Sequence, residues 1–96
     1  MSDFAEFQQY MEDGHSAAWE QDWVSAIESY SKAVQADTED ADAHINLGMA
    51  LLREGQLDRS LKVFRRAQQL APEDPVPLEG QADALEQMGQ LQEASQ

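Results

Sequence analysis

Few side chains of this 96-residue chain have the types and spacing that catalysis or metal binding requires. His15 and His44 are its two histidines, and neither is accompanied by a second ligand at the spacing that metal sites use. The chain has no cysteine, no Ser/His/Asp combination and no glycine-rich loop that could hold phosphate. With 19 acidic residues, carboxylate pairs arise by chance, so a pair is no evidence of a catalytic dyad. The sequence therefore predicts a protein that is not an enzyme and that uses no metal and no cofactor.

The net charge of −13 and the isoelectric point near 4.1 narrow the choice of partners. Basic side chains supply most of the affinity for nucleic-acid phosphates and for anionic lipids, so we expect neither nucleic acid nor a membrane surface as a partner. Three interpretations of the acidity stay open, namely solvated helix faces, a basic partner and a salt-rich habitat.

The amino terminus and the distribution of apolar residues bear on cellular location. The first ten residues, MSDFAEFQQY, lack the basic and apolar regions of a secretion signal. No apolar run approaches the roughly 20 residues that a bilayer-spanning helix needs. We therefore expect a cytoplasmic protein.

Turn signals divide the chain into five or six predicted helices. Apolar residues recur three or four positions apart and do not alternate with period two, which favours helices over strands. Asp40 and Asp74 are suitable caps at helix starts, and Gly55 and Gly89 are suitable residues just past helix ends. The predicted helices cover about residues 3–20, 22–36, 41–54, 57–71 and 75–88, and a sixth begins near residue 91 and extends to residue 96.

The chain matches itself when it is shifted by 34 residues. The coinciding positions include Tyr10, His44 and Leu78; Gly14 and Gly48; Ala17, Leu51 and Leu85; Ala26 and Ser60; and Tyr30 and Phe64. A fixed period of this length is typical of arrays of helix pairs, in which each pair buries its apolar face against the next. We expect the small residues Gly14 and Gly48 to let paired helices approach closely, and Tyr30 and Phe64 to fill the space between units.

Residues 41–74 resemble the unit of the tetratricopeptide repeat (TPR) family, which has tryptophan, leucine, glycine, alanine, phenylalanine and proline at set positions. The matching residues are His44, Leu47, Gly48, Leu51, Ser60, Phe64, Ala67 and Pro72. Residues 7–40 form a weaker unit, with Asp13 and Thr38 as departures, and residues 75–96 resemble a partial third unit. The resemblance implies one all-α domain over residues 1–96, a right-handed superhelical stack of antiparallel helix pairs.

The resemblance also implies a concave groove, lined by the first helix of each unit, that binds a partner peptide or helix. The groove residues of the first two units are Gln8, Met11, His15, Ala18, Trp19, Asp42, Ile45, Met49, Leu52 and Arg53, with Asn46 at the groove edge. Those of the partial unit are Val76, Glu79, Asp83, Glu86 and Gln87. As an alternative, the apolar members and Trp19 pack against neighbouring units. Chaperone-tail binders of this family carry a basic clamp; Asn46 alone fits that pattern here, so this function is not expected.

A second hypothesis is self-association, because the array ends without a polar capping helix. The apolar residues left without a following unit are Leu78, Leu85, Met88 and Leu91. Pairing of this edge with another copy would give a homodimer, and a longer repeat protein of which this chain is a fragment would also cover it. Five of the six basic residues form a further cluster: Arg53, Arg59, Lys62, Arg65 and Arg66. We expect that cluster to form surface ion pairs or a second partner site.

Overall fold

The computed structural model describes residues 2–94, which form five α-helices and no β-strand. The helices are α1 (Ser2–Trp19), α2 (Trp23–Ala36), α3 (Ala41–Glu54), α4 (Leu57–Leu70) and α5 (Val76–Ala94). The prediction of an all-α chain is confirmed, and four of the five helices end within one residue of the expected position. Each helix packs against its neighbours along the chain, α3 also touches α5, and the array measures 52 × 30 × 17 Å.

Short polar side chains and one glycine set the helix boundaries. The carboxylate of Asp22 accepts a hydrogen bond from the backbone of Ser25 at the start of α2, and hydrogen bonds from Ser25 lower the pKa of that carboxyl. Asp40 caps α3 in the same way, accepting from the backbone of Ala43 at 2.9 Å. Gly55 ends α3 with φ of 86°, a left-handed conformation that glycine adopts at little cost. The predicted roles of Asp40 and Gly55 are confirmed.

The predicted helix end at Gly89 is wrong, because α5 continues through it to Ala94. Gly89 is followed by Gln and Leu, as Gly55 is, but it keeps a helical φ. After Gly55, a 14-residue helix folds back and buries Leu57, Ser60 and Phe64 against α3, which offsets the hydrogen bonds lost at the turn. Residues 90–93 are exposed and bury no such face, and a helical glycine costs only about 1 kcal/mol. The predicted end of a sixth helix at residue 96 lies outside the described residues.

The core lies between successive helices and has two parts. The larger part joins α2 to α3 and consists of Ala26, Ile27, Tyr30, Leu47, Ala50 and Leu51. The smaller part joins α3 to α4 and consists of Ile45, Phe64 and Ala67. Met11, Ala17 and Trp23 are half-buried and pack against the larger part. Apolar burial is therefore spread along the array and is not gathered at one centre, as expected for stacked helix pairs.

The Phe64 ring is fully buried where three helices meet. A methyl group at Gly48 of α3 or at Gly80 of α5 would press against the ring, so the absence of side chains there lets both helices approach α4. Beside them, the hydroxyl of Ser60 donates a hydrogen bond of 2.8 Å to the backbone carbonyl of Gly48. The expected close approach at Gly48 is confirmed, and Gly80 provides an equivalent one that the sequence pattern did not indicate.

Candidate functional site

Two cavities lie along the face formed by α1, α3 and α5. The α3–α5 cavity has a volume of about 370 Å³ and is lined by Met49, Leu52, Arg53, Phe64, Val76, Glu79, Gly80, Asp83 and Gln87. The α1–α3 cavity has about 240 Å³ and is lined by Phe7, Gln8, Met11, Glu12, His15, Asp40 and Asp42. These cavities together are called the groove below. Its walls come almost entirely from the first helices of the predicted units.

The α3–α5 cavity combines an apolar floor with a charged rim. Met49 and Leu52 are three residues apart on α3 and so share a face, and Met49 remains 43% exposed. Opposite them, Val76, Glu79 and Asp83 are three or four residues apart on α5. The fully buried Phe64 ring lies beneath the cavity, so Met49, Leu52 and Val76 provide the apolar surface that a ligand can reach. An apolar side chain can therefore rest on the floor while polar groups meet the rim.

Arg53 is the one basic residue among those that line the two cavities. Its guanidinium carbon lies 5.7 Å from the centre of the half-buried Trp23 ring, within the range of a cation–π interaction. This contact directs Arg53 towards α2, and part of its charge is engaged with the ring.

The α1–α3 cavity is organised by a hydrogen bond between His15 and Tyr30. The Nδ1 atom of His15 lies 2.8 Å from the Tyr30 hydroxyl, and the two rings meet edge to face with their centres 5.6 Å apart. Tyr30 is 3% exposed, and burial raises the pKa of its phenol above the usual value. The hydroxyl therefore stays protonated at neutral pH and can hold the imidazole against the wall of the cavity.

A model of the tetratricopeptide repeat matches residues 14–75, nearly two thirds of the chain. The chain belongs to the tetratricopeptide repeat family. TPR proteins are generally non-catalytic modules for protein interaction. Within residues 2–94, none of the helices combines the length and the apolar character that a bilayer-spanning segment needs.

Similar proteins agree with this assignment. The Protein CTR9 homolog of Arabidopsis thaliana is 30% identical over 77 residues, which is 80% of this chain but only 7% of that protein. The Arabidopsis OM64 TPR domain superposes with a TM-score of 0.87 at 17% identity, over 96% of this chain and 76% of that one. The yeast Sti1 TPR2B domain, in a complex with pHsp70, gives a TM-score of 0.82 at 20% identity, over 95% and 71%. The predicted TPR solenoid is confirmed.

The residues predicted to line the groove of this TPR chain fall into two groups. Those that line the α3–α5 cavity are Met49, Leu52, Arg53, Val76, Glu79, Asp83 and Gln87, and those that line the α1–α3 cavity are Gln8, Met11, His15 and Asp42. The other members line neither cavity: Ala18, Trp19, Ile45, Asn46 and Glu86.

Their surroundings explain the difference. Trp19 ends α1 and is 89% exposed, whereas Ile45 is 8% exposed and packs with Phe64 and Ala67. Ile45 therefore fits the alternative of packing between helices. Phe64 and Gly80 reach the α3–α5 cavity although neither was expected there. The sequence signal that could have indicated this is the position of each residue within its repeat unit, which places both where α4 and α5 meet.

The predicted self-association residues lie in two kinds of surroundings on α5. Leu78 and Leu85 are seven residues apart on one helix face and are 50% and 51% exposed. Met88 and Leu91 line a hollow beside Leu57 at the start of α4. Self-association through these four residues stays a prediction.

His44 and the basic cluster have structural surroundings. The buried His44 donates a hydrogen bond from Nδ1 to the backbone carbonyl of Asp40 at 2.9 Å, since a carbonyl can only accept. In the cluster on α4, Arg66 forms an ion pair with Glu39 at 3.2 Å, as one of the two interpretations anticipated. Both partners are largely exposed, so the pair contributes about 0–1 kcal/mol.

Proposed function

We propose that this TPR chain is a non-catalytic interaction module that binds a partner peptide in the groove, with the α3–α5 cavity as the main contact. The observation that carries this proposal is the cavity itself, an apolar floor of Met49, Leu52 and Val76 under a polar rim. Its volume of about 370 Å³ lies at the lower end of the range for ligand pockets, roughly 300–1,000 Å³. The reported complex of the similar Sti1 TPR2B domain with pHsp70 supports a peptide or protein as the ligand.

In this mechanism the peptide places one apolar side chain on the floor of the α3–α5 cavity. Burial of such a side chain contributes about 1.5–3 kcal/mol, and the flexible Met49 can adapt to its shape. Gln87 and the carboxylates of Glu79 and Asp83 are at hand for backbone amides and polar side chains of the peptide. The His15 side of the groove gives a second contact further along the peptide.

The test begins with selection of binders from a random-sequence peptide library displayed on phage, with the chain as bait. The selected peptides are then titrated against Met49→Gln and Val76→Asn, which remove apolar contacts without adding charge. Val24→Asn is the matched control, because Val24 lies in the first turn of α2, is exposed and lines neither cavity.

We expect Met49→Gln and Val76→Asn each to weaken binding about tenfold, and Val24→Asn to leave it unchanged. Circular dichroism checks that all three variants keep the helical content of the wild type. If no peptide is selected, or if the three variants bind equally well, the groove is not the binding site and the proposal fails.

The second candidate function is self-association through α5. The observation that favours it is the stripe of Leu78 and Leu85, each half exposed, with the small Ala82 between them. Two copies of α5 could pack antiparallel along this stripe, with Ala82 allowing close approach. Light scattering over a range of concentrations tests it: we expect a dimer that Leu85→Asp dissociates, and a wild type that stays monomeric at high concentration would exclude it.

A further inference from the structure

We propose that the ligand of the groove is a basic peptide, in which lysine or arginine residues flank the apolar residue that rests on the cavity floor. This inference rests on the proposed function and adds the charge of the partner. It depends on where the carboxylates of the groove lie and on how few cations accompany them.

The rim of the α3–α5 cavity carries two carboxylates without a counter-ion. Glu79 and Asp83 are four residues apart on α5, both are exposed, and both line the cavity. Like charges at this spacing repel each other along a helix. Helix α5 has no lysine or arginine, and within residues 2–94 neither carboxylate has a cation at ion-pair distance. A cationic side chain between them would relieve the repulsion and form two ion pairs above an apolar floor.

Arg53 does not neutralise this rim. It lines the same cavity, but its guanidinium lies over the Trp23 ring on the α2 side. An acidic peptide would therefore be repelled by two free carboxylates and attracted by one cation that is already engaged. A basic peptide would be attracted by the two carboxylates and repelled by that one cation. Charge complementarity thus selects a cationic ligand at this end of the groove.

The α1–α3 cavity repeats the arrangement at the other end. Glu12 and Asp42 are exposed carboxylates on its two walls. Asp40 lines it as well, but its carboxylate already accepts the hydrogen bond from Ala43 that caps α3. Two acidic rims on one groove suit a peptide with basic residues on both sides of its apolar anchor.

Apart from Arg53, the lysines and arginines of the chain lie outside both cavities. Arg59, Lys62, Arg65 and Arg66 are on α4 and line neither cavity. The acidity of the groove is therefore not offset locally, and the net charge of −13 adds a long-range attraction for cations. A solvated acidic surface is the alternative explanation, and the charge variants below distinguish the two.

The experiment uses the peptides selected from the random-sequence phage library and asks two questions of them. The first is composition: we expect lysine and arginine to be enriched next to the apolar residue. The second is whether the carboxylates of the rim contribute to affinity. We expect the double variant Glu79→Gln/Asp83→Asn to weaken binding about tenfold at low salt and less at high salt. The control Glu73→Gln/Glu93→Gln also removes two negative charges, but at exposed positions outside both cavities. We expect it to change the affinity by less than about twofold.

The outcomes separate the two proposals. Neutral or acidic peptides that bind and still lose affinity on Met49→Gln would overturn the basic ligand while leaving groove binding intact. Equal losses in the two charge variants would also overturn it, because the attraction would then come from net charge alone. If no peptide is selected, or if Met49→Gln and Val76→Asn have no effect, the proposed function fails and this inference fails with it.

Discussion

The packing around Phe64 predicts opposite behaviour for two glycines of the same helix. A methyl group added at Gly80 would lie 2.5 Å from two carbons of the Phe64 ring, whereas one added at Gly89 meets nothing within 4 Å. The ring is fully buried and also borders Gly48, so the surrounding side chains leave it little room to move. Alanine at each position therefore separates helix propensity from packing.

Both substitutions gain the propensity advantage of alanine over glycine, about 0.5–1 kcal/mol in the free energy of unfolding. Gly80→Ala also overpacks a closed site, which costs about 1–3 kcal/mol. We therefore expect Gly89→Ala to be slightly more stable than the wild type and Gly80→Ala to be about 1–3 kcal/mol less stable than Gly89→Ala. Each kcal/mol corresponds to roughly 4–8 °C in the melting temperature of a domain of this size.

Urea unfolding followed by far-ultraviolet circular dichroism measures the difference, provided that the denaturant slopes agree among the variants. Equal stabilisation by the two alanines would refute the close approach of α5 to Phe64. A second check adds Phe64→Leu: the double variant Gly80→Ala/Phe64→Leu should lose less stability than the sum of its single changes, because the shorter side chain makes room.

Two further predictions concern a helix cap and a buried phenol. Asp40→Ala removes the carboxylate that holds the Ala43 amide, and we expect a loss of about 1 kcal/mol in thermal or urea unfolding, which Asp40→Asn should largely avoid. Burial raises the pKa of Tyr30 in the folded chain, so its contribution to stability is complete below pH 10.0 and is lost as the pH rises through the folded value. The unfolding free energy of the wild type should therefore fall more steeply above that pH than that of Tyr30→Phe; parallel curves would contradict the burial of the phenol.

The fold was predictable because local and repeating signals agree. The period of 34 residues, the caps at Asp40 and Gly55 and the helical spacing of apolar residues all indicate the same helices. Gly55 and Gly89 show where this local evidence ends, since both precede Gln and Leu but only Gly55 closes a helix. The difference depends on whether a following helix has a surface to cover, which is a tertiary property.

The candidate site was predictable at the level of helix faces and not at the level of individual contacts. Met49 and Leu52 line the α3–α5 cavity as the face predicted, and the acidic character at Glu79 and Asp83 was also expected. Ile45 occupies a groove position by register but is covered by Phe64, because α4 approaches α3 closely there. Sequence spacing gives the direction of a side chain, and the distance between helices decides whether it reaches solvent.

The attachment of α5 through Phe64 has a consequence for local opening of the array. The larger core cluster lies between α2 and α3 and includes no residue of α5, so α5 can detach while the first helices remain folded. Its backbone amides should then exchange with deuterium earlier than those of α2. A ligand bound in the α3–α5 cavity, as proposed, would contact both sides of this opening and would require α5 to be docked. Binding and α5 docking would then be thermodynamically linked: we expect the ligand to slow exchange along α5, and a change that undocks α5 to weaken the apparent affinity in proportion to the docked fraction that is lost.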